Sequence, residues 1–190
     1  MKIGMCMFLW TTNIDPSHKA LLADIRETGF DGVEIPVFQG TPEDFAATGR
    51  MLDDLGLERT AAAASGDPAL SLISAKEAER TAGIEHMKWV LDCCEALGAD
   101  QVCGPLHSTL GHFSGEGPTA GELDRSLASQ SAIAEHAERR GVTVCLEALN
   151  RFECYLFNTM DALASHIRAI NHPNIRAMYD TFHANIEEAD

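Results

Sequence analysis

Basic residues are scarce in this chain: 14 Lys and Arg stand against 29 Asp and Glu, a formal charge of −15. That balance repels phosphate backbones and anionic bilayers, so nucleic acid and membrane are not expected as partners. Its simplest use is solubility. Long apolar runs are also lacking, and none approaches the ~20 residues that span a bilayer. The run over 3–10 has the apolarity of a signal-peptide core. Yet one Lys precedes it and no small-residue cleavage site follows, so it reads as a buried first strand. The six cysteines (Cys6, Cys93, Cys94, Cys103, Cys145 and Cys154) show no CxxC spacing. Several fall inside apolar runs, where Cys behaves as a small hydrophobe, and a reducing cytoplasm is the expected setting. No glycine follows the first apolar run, which leads into Phe8-Leu9-Trp10-Thr11-Thr12-Asn13, and no P-loop occurs anywhere. Both absences exclude the common nucleotide-binding loops.

What is present is a regular alternation. With 190 residues and 45% apolar content, the chain can bury a real core, and a single domain over 1–190 is expected. Short apolar runs over 2–9, 32–35, 57–63, 101–103, 142–146 and 175–179 read as buried strands. Helical spacing fills the gaps. Leu21, Leu22 and Ile25 share a face, as do Phe45, Leu52 and Leu55; Ile84, Met87, Leu91 and Cys94; Leu123, Leu127 and Ala134; and Leu163 and Ile167. Asp15-Pro16 and Thr41-Pro42 each set a capping oxygen before a proline suited to the first helical position. Gly29, Gly56, Gly98, Gly141 and Asn171 stand where successive helices must stop. Six strand–helix units with short connections imply a parallel sheet with right-handed crossovers. An open doubly wound sheet and a barrel both fit, and the missing glycine fingerprint favours the barrel.

In such folds function gathers at the carboxyl ends of the strands. The second strand ends at Glu34, and the fourth runs through Gly104-Pro105-Leu106-His107. The fifth delivers Glu147 and then Asn150-Arg151-Phe152-Glu153; the sixth delivers Asp180 and then His183. A carboxylate at the end of an apolar run is costly to bury unless it is paired or meets a cation. Neighbouring strands lie roughly 4.8 Å apart, so Glu147 and Asp180 can reach one ion. Oxygen ligands suit Mg²⁺ or Mn²⁺, and an added imidazole favours Mn²⁺ or Co²⁺. The alternative is that Glu147 pairs with Arg151 or another base and Asp180 merely caps the following helix. His183 is either a substrate contact or a solvated loop residue. His107 and His112 sit in a long polar loop and are candidates to line a mouth. Trp10, more than Phe8, is a candidate to stack on a sugar.

Two segments carry a resemblance. Leu146-Glu147-Ala148-Leu149-Asn150-Arg151-Phe152-Glu153 resembles the L-E-x-x-N-R-F-E segment of ketose 3-epimerases, the tagatose/psicose/ribulose group within the xylose-isomerase-like barrels. Asp180-Thr181-Phe182-His183-Ala184-Asn185-Ile186-Glu187-Glu188 resembles their D-T-F-H-x-N-I-E-E segment. Lys2-Ile3-Gly4 and Gly29-Phe30-Asp31-Gly32-Val33-Glu34 are similar to the wider superfamily. The resemblance implies an α/β (β/α)₈ TIM barrel. It makes Glu147 both a catalytic carboxylate and a metal ligand, Asp180 a second ligand, and His183 and Glu153 substrate-binding; His107 and Trp10 stay candidate substrate contacts from their positions at strand ends. The implied reaction is epimerisation at C3 of a free ketose through an enediolate. A divalent cation, Mn²⁺ first and Co²⁺ or Mg²⁺ next, lowers the energy of that species while carboxylates move the proton. A small ketose is the implied partner, and a homo-oligomer the implied assembly.

The resemblance also sets an expectation of incompleteness. The family draws a histidine ligand and a second catalytic glutamate from strands seven and eight, and such a barrel needs about 250 residues. About six strand–helix units are present, so an incomplete barrel, truncated on its C-terminal side, is expected. The alternatives are another sugar isomerase or dehydratase of the superfamily, such as hydroxypyruvate isomerase or inosose dehydratase, or a catalytically inactive fragment or interaction module lacking half the metal site. An endonuclease of abasic DNA would need a basic groove, which the charge denies.

Overall fold

The computed structural model describes residues 1–188. Six strands form one parallel sheet in strictly sequential order: β1 (Gly4–Cys6), β2 (Gly32–Pro36), β3 (Glu58–Ala62), β4 (Gln101–Gly104), β5 (Thr143–Glu147) and β6 (Ile175–Met178). Helices α1 (Lys19–Thr28), α2 (Pro42–Leu55), α3 (Glu77–Leu97), α4 (Ala120–Arg140), α5 (Met160–Ile170) and α6 (Thr181–Glu187) follow the strands in turn. A doubly wound sheet reverses its strand order at a switch point; this sheet does not, so it is the wall of a barrel, six units long. The outer edges of β1 and β6 pair with no strand among the described residues. The single domain expected over 1–190 has its last two residues outside those described.

The helix ends are built as the sequence suggests. Asp15 and Thr41 accept hydrogen bonds from backbone N–H groups of the turns they open, each in a reciprocal capping box. Asn171 takes φ 51° at the end of α5, the left-handed position that glycine fills after the earlier helices. The first strand is shorter than the apolar run over 2–9 predicts. After Cys6 the chain enters a 3₁₀ turn over Met7–Leu9, where the N–H groups of Trp10 and Thr11 both donate to the Met7 carbonyl at 3.0 Å. That turn ends the strand.

Strand alternation divides the sheet into two chemistries. Val33, Ile35, Ala61, Val102, Val144, Leu146 and Ile175 are buried with Leu22, Ile25, Leu52, Leu91 and Leu163 from the helices in one apolar cluster. The opposite face carries Glu34, Gln101, Cys103, Cys145 and Glu147. Polar contacts cross it: the Cys103 thiol donates to Glu34 at 2.9 Å. The paired register Glu147↔Met178 brings the carboxyl ends of β5 and β6 to the same height, with Asp180 two residues beyond.

Where α2 crosses the end of α3, backbones touch. A Cβ at Gly49 would lie 2.6 Å from the Leu97 carbonyl oxygen. Gly49→Ala should therefore destabilise the chain although alanine is the better helix former by about 1 kcal/mol. Overpacking against backbone costs roughly 1–3 kcal/mol, so a lower urea midpoint in far-UV circular dichroism is expected. An unchanged or higher midpoint would contradict this helix contact.

Candidate active site

Glu147 is the last residue of β5 and points to the polar face, where it is 9% exposed. Asp180 ends the β6 unit as the N-cap of α6, its Oδ1 accepting the Phe182 N–H at 2.6 Å. That cap uses one carboxylate oxygen and leaves Oδ2 free to face Glu147. One turn into α6, His183 sets its Nε2 3.7 Å from Glu147 Oε1 and 3.8 Å from Asp180 Oδ2. One ligand-capable atom from each of the three lies within 4.8 Å of the others.

The alternative roles weighed from the sequence resolve differently for the two acids. Arg151 does not neutralise Glu147; it embraces Glu187 instead, through Nε at 2.9 and 3.1 Å, Nη2 at 2.7 Å and its backbone N–H at 2.7 Å. Asp180 does cap its helix, but capping and facing the cluster are compatible. Glu147 is thus a buried acid with Asp180, Glu34 and Glu153 around it. Burial first, and then those like charges, push its carboxyl up to about 8. A site with this excess of carboxylate, with Arg151 turned away to Glu187, fits a divalent cation held by oxygen ligands.

The remaining candidates fall at distinct places. Glu153 Oε1 accepts from the Asn150 amide at 2.7 Å, so the loop after β5 holds it beside the cluster. Trp10 is half-exposed just past the carboxyl end of β1, the sheet edge opposite Asp180, two residues after Phe8. His112 is exposed in the loop after β4. His107 departs from the expectation that it lines the mouth. It is 0% exposed, its Nε2 donates to the Glu147 carbonyl at 2.9 Å, and its Nδ1 accepts the Ser108 hydroxyl at 3.0 Å. Both nitrogens are used and the ring packs edge-on to Phe157, so it braces β5 from behind. The sharp bend that delivers it passes through Gly104, at φ 136°, where a Cβ would lie 2.1 Å from the Ala63 carbonyl oxygen.

Two residues were not singled out from the sequence. Asn150 is 2% exposed and bonds to both His183 and Glu153; its place in the N-R-F-E segment was the available signal. Cys103, read only as packing, is the hydrogen-bond partner of Glu34. Nothing local to either segment announces that pair.

The model of the xylose isomerase-like TIM barrel family matches residues 22–190. The chain is 32% identical over 191 residues to a ketose 3-epimerase of Arthrobacter globiformis, covering 100% of this chain and 65% of that protein. It is 35% identical to an L-ribulose 3-epimerase of Mesorhizobium japonicum, covering 100% of this chain and 63% of that protein. A solved L-ribulose 3-epimerase superposes with a TM-score of 0.92 at 33% identity, over 100% of this chain and 64% of that one. The Clostridium cellulolyticum D-psicose 3-epimerase solved with D-tagatose gives 0.88 at 27% identity, over 100% of this chain and 67% of that one. The chain thus spans about two thirds of the length of these relatives.

Burial holds the His107 ring neutral and pushes its pKa down to about 4. The unfolded imidazole, near 6.5, takes up a proton first on acidification, so this residue's contribution to stability is lost as pH falls from about 6.5 to 4. The loss is on the order of 3 kcal/mol. Urea midpoints across that range should fall more steeply for the wild type than for His107→Gln. Parallel pH profiles would show that the ring is not the buried neutral group described.

Proposed function

The chain belongs to the xylose isomerase-like TIM barrel family, and from that premise we propose that its site serves a metal-dependent ketose 3-epimerase. The observation that carries this reading is the convergence of Glu147, Asp180 and His183 at one end of two adjacent strands, in a chain similar to enzymes named for that reaction. Glu147 and Asp180 would hold the divalent cation, which we take as Mn²⁺ with Co²⁺ or Mg²⁺ as alternatives, because both are oxygen donors in a region rich in negative charge. When bound, the cation supplies the positive charge that makes a C–H beside a ketone acidic enough for a carboxylate to remove.

The chain's own residues do the rest. Glu147 takes the proton from C3. His183 and Glu153 hold the substrate oxygens, and Trp10 offers an aromatic face at the rim to the sugar's carbon skeleton. His107 is not proposed to touch substrate; its bond to the Glu147 carbonyl keeps the base where the strand presents it. Epimerisation also needs a second acid on the other face of the substrate. Residues 1–190 form one domain acting on a small free ketose, in a cytoplasmic homo-oligomer. No described helix is long and apolar enough to cross a membrane.

In a version that includes the second acid, turnover of D-fructose to D-psicose, and of D-tagatose to D-sorbose, should depend on added Mn²⁺ and be lost on chelation. In that version Glu147→Gln should lower kcat by about 10²–10⁴-fold with circular dichroism unchanged. Wild-type turnover in that variant would remove Glu147 from the chemistry. Calorimetric titration with Mn²⁺ should show Asp180→Asn binding more weakly, beyond the roughly 10–100-fold that loss of an outer-shell partner costs.

A further inference from the structure

We propose that Asn150 is a positioning residue that fixes the tautomer of His183, placing the ring hydrogen on Nε2 beside Glu147 and Asp180. The use of that hydrogen rests on the epimerase reading; the tautomer does not. His183 Nδ1 receives the backbone N–H of Asn150 at 3.2 Å. A backbone amide can only donate, so Nδ1 must present a lone pair. The Asn150 side chain points to the same answer. Its Oδ1 accepts the Phe152 N–H at 3.0 Å, which assigns the amide orientation from a donor of known sense. Its Nδ2 is then the atom that donates to Glu153 Oε1 at 2.7 Å and approaches His183 Nδ1 at 2.9 Å. Two N–H groups of one buried residue thus converge on a single ring nitrogen. A neutral imidazole carries one hydrogen, and the only position left for it is Nε2.

That hydrogen is unspent. Nε2 stands 3.7 and 3.8 Å from the two nearest carboxylate oxygens, beyond hydrogen-bond reach of either. It is a donor held ready for an oxygen that arrives between them. A protonated Nε2 has no lone pair for a cation, so the three residues that cluster here divide into two oxygen ligands and one donor. The same Asn150 amide also orients Glu153, and one buried side chain thereby sets two groups that face the substrate.

The ring is held from the helix side as well. Glu187 of α6 takes both the side chain and the backbone N–H of Arg151. Glu188 Oε1 accepts the Met160 N–H at 2.7 Å. The short helix is therefore latched to the β5–α5 connection at two points, which fixes the distance between Asn150 and His183.

Long-range ¹H–¹⁵N correlation spectra of the His183 ring in the metal-free chain test this directly. The wild type should show Nε2 as the protonated, pyrrole-type nitrogen and Nδ1 as the pyridine-type one. Asn150→Asp replaces the side-chain donor by an acceptor while the backbone N–H still points at Nδ1, so the share of rings carrying the hydrogen on Nδ1 should rise and the two ¹⁵N positions should move toward one another. A protonated Nδ1 in the neutral wild-type ring overturns the proposal, as does an unchanged Nε2–H spectrum in a folded Asn150→Asp chain. If that variant does not fold, the wild-type spectrum alone decides which nitrogen carries the hydrogen. An Nε2–H wild-type ring together with full turnover in Glu147→Gln would sustain the tautomer while rejecting the epimerase chemistry.

Discussion

A carboxylate enclosed at the end of a strand, among other carboxylates and not paired with Arg151, is the constraint around which this site is organised. Burial alone disfavours its charge, and Asp180, Glu34 and Glu153 disfavour it further. The fold nevertheless holds Glu147 in place, through the β5–β6 register in front and the His107 bond to its carbonyl behind. Such an arrangement makes physical sense where a cation completes it. Arg151 could have neutralised the acid, but its engagement with Glu187 leaves the negative charge uncompensated.

The sheet makes this possible by keeping its two faces chemically separate. The side toward the helices is a continuous apolar cluster that supplies the burial on which the fold rests. The other side carries thiols, amides, acids and Arg176, in register with Cys145, linked by few and specific hydrogen bonds such as Cys103 to Glu34. Because polar groups in such surroundings are costly when unmatched, their partners are set by geometry as well as by residue type. The β5–α5 connection shows this best. One asparagine, nearly without solvent contact, satisfies a backbone N–H, a glutamate and a histidine together.

The order of strands and helices, the caps at Asp15 and Thr41, and the left-handed stop at Asn171 were all legible in the chain. So was the barrel over the doubly wound sheet. Each depends on interactions within a few residues, where side-chain periodicity and capping chemistry act directly. The candidate acids were legible for a related reason: Glu147 and Asp180 end strands of clear apolar pattern, and strand ends are where parallel folds expose chemistry. Position along the chain was enough to name them, but not to say whether an arginine would neutralise one of them.

By itself, then, the sequence determined the alternation of elements and which acids stand at the carboxyl ends of its strands. The tertiary structure alone decided that Arg151 turns to Glu187, that His107 lies behind β5 with both nitrogens occupied, and that the first strand stops at Cys6. It also decided that Asn150 bonds His183, 33 positions away, and that Cys103 bonds Glu34, 69 positions away. Periodicity reports which way a residue faces its own element. A hydrogen bond between distant segments depends on where two backbones come to rest and which rotamers their packing allows, and that is settled only when the whole sheet is assembled.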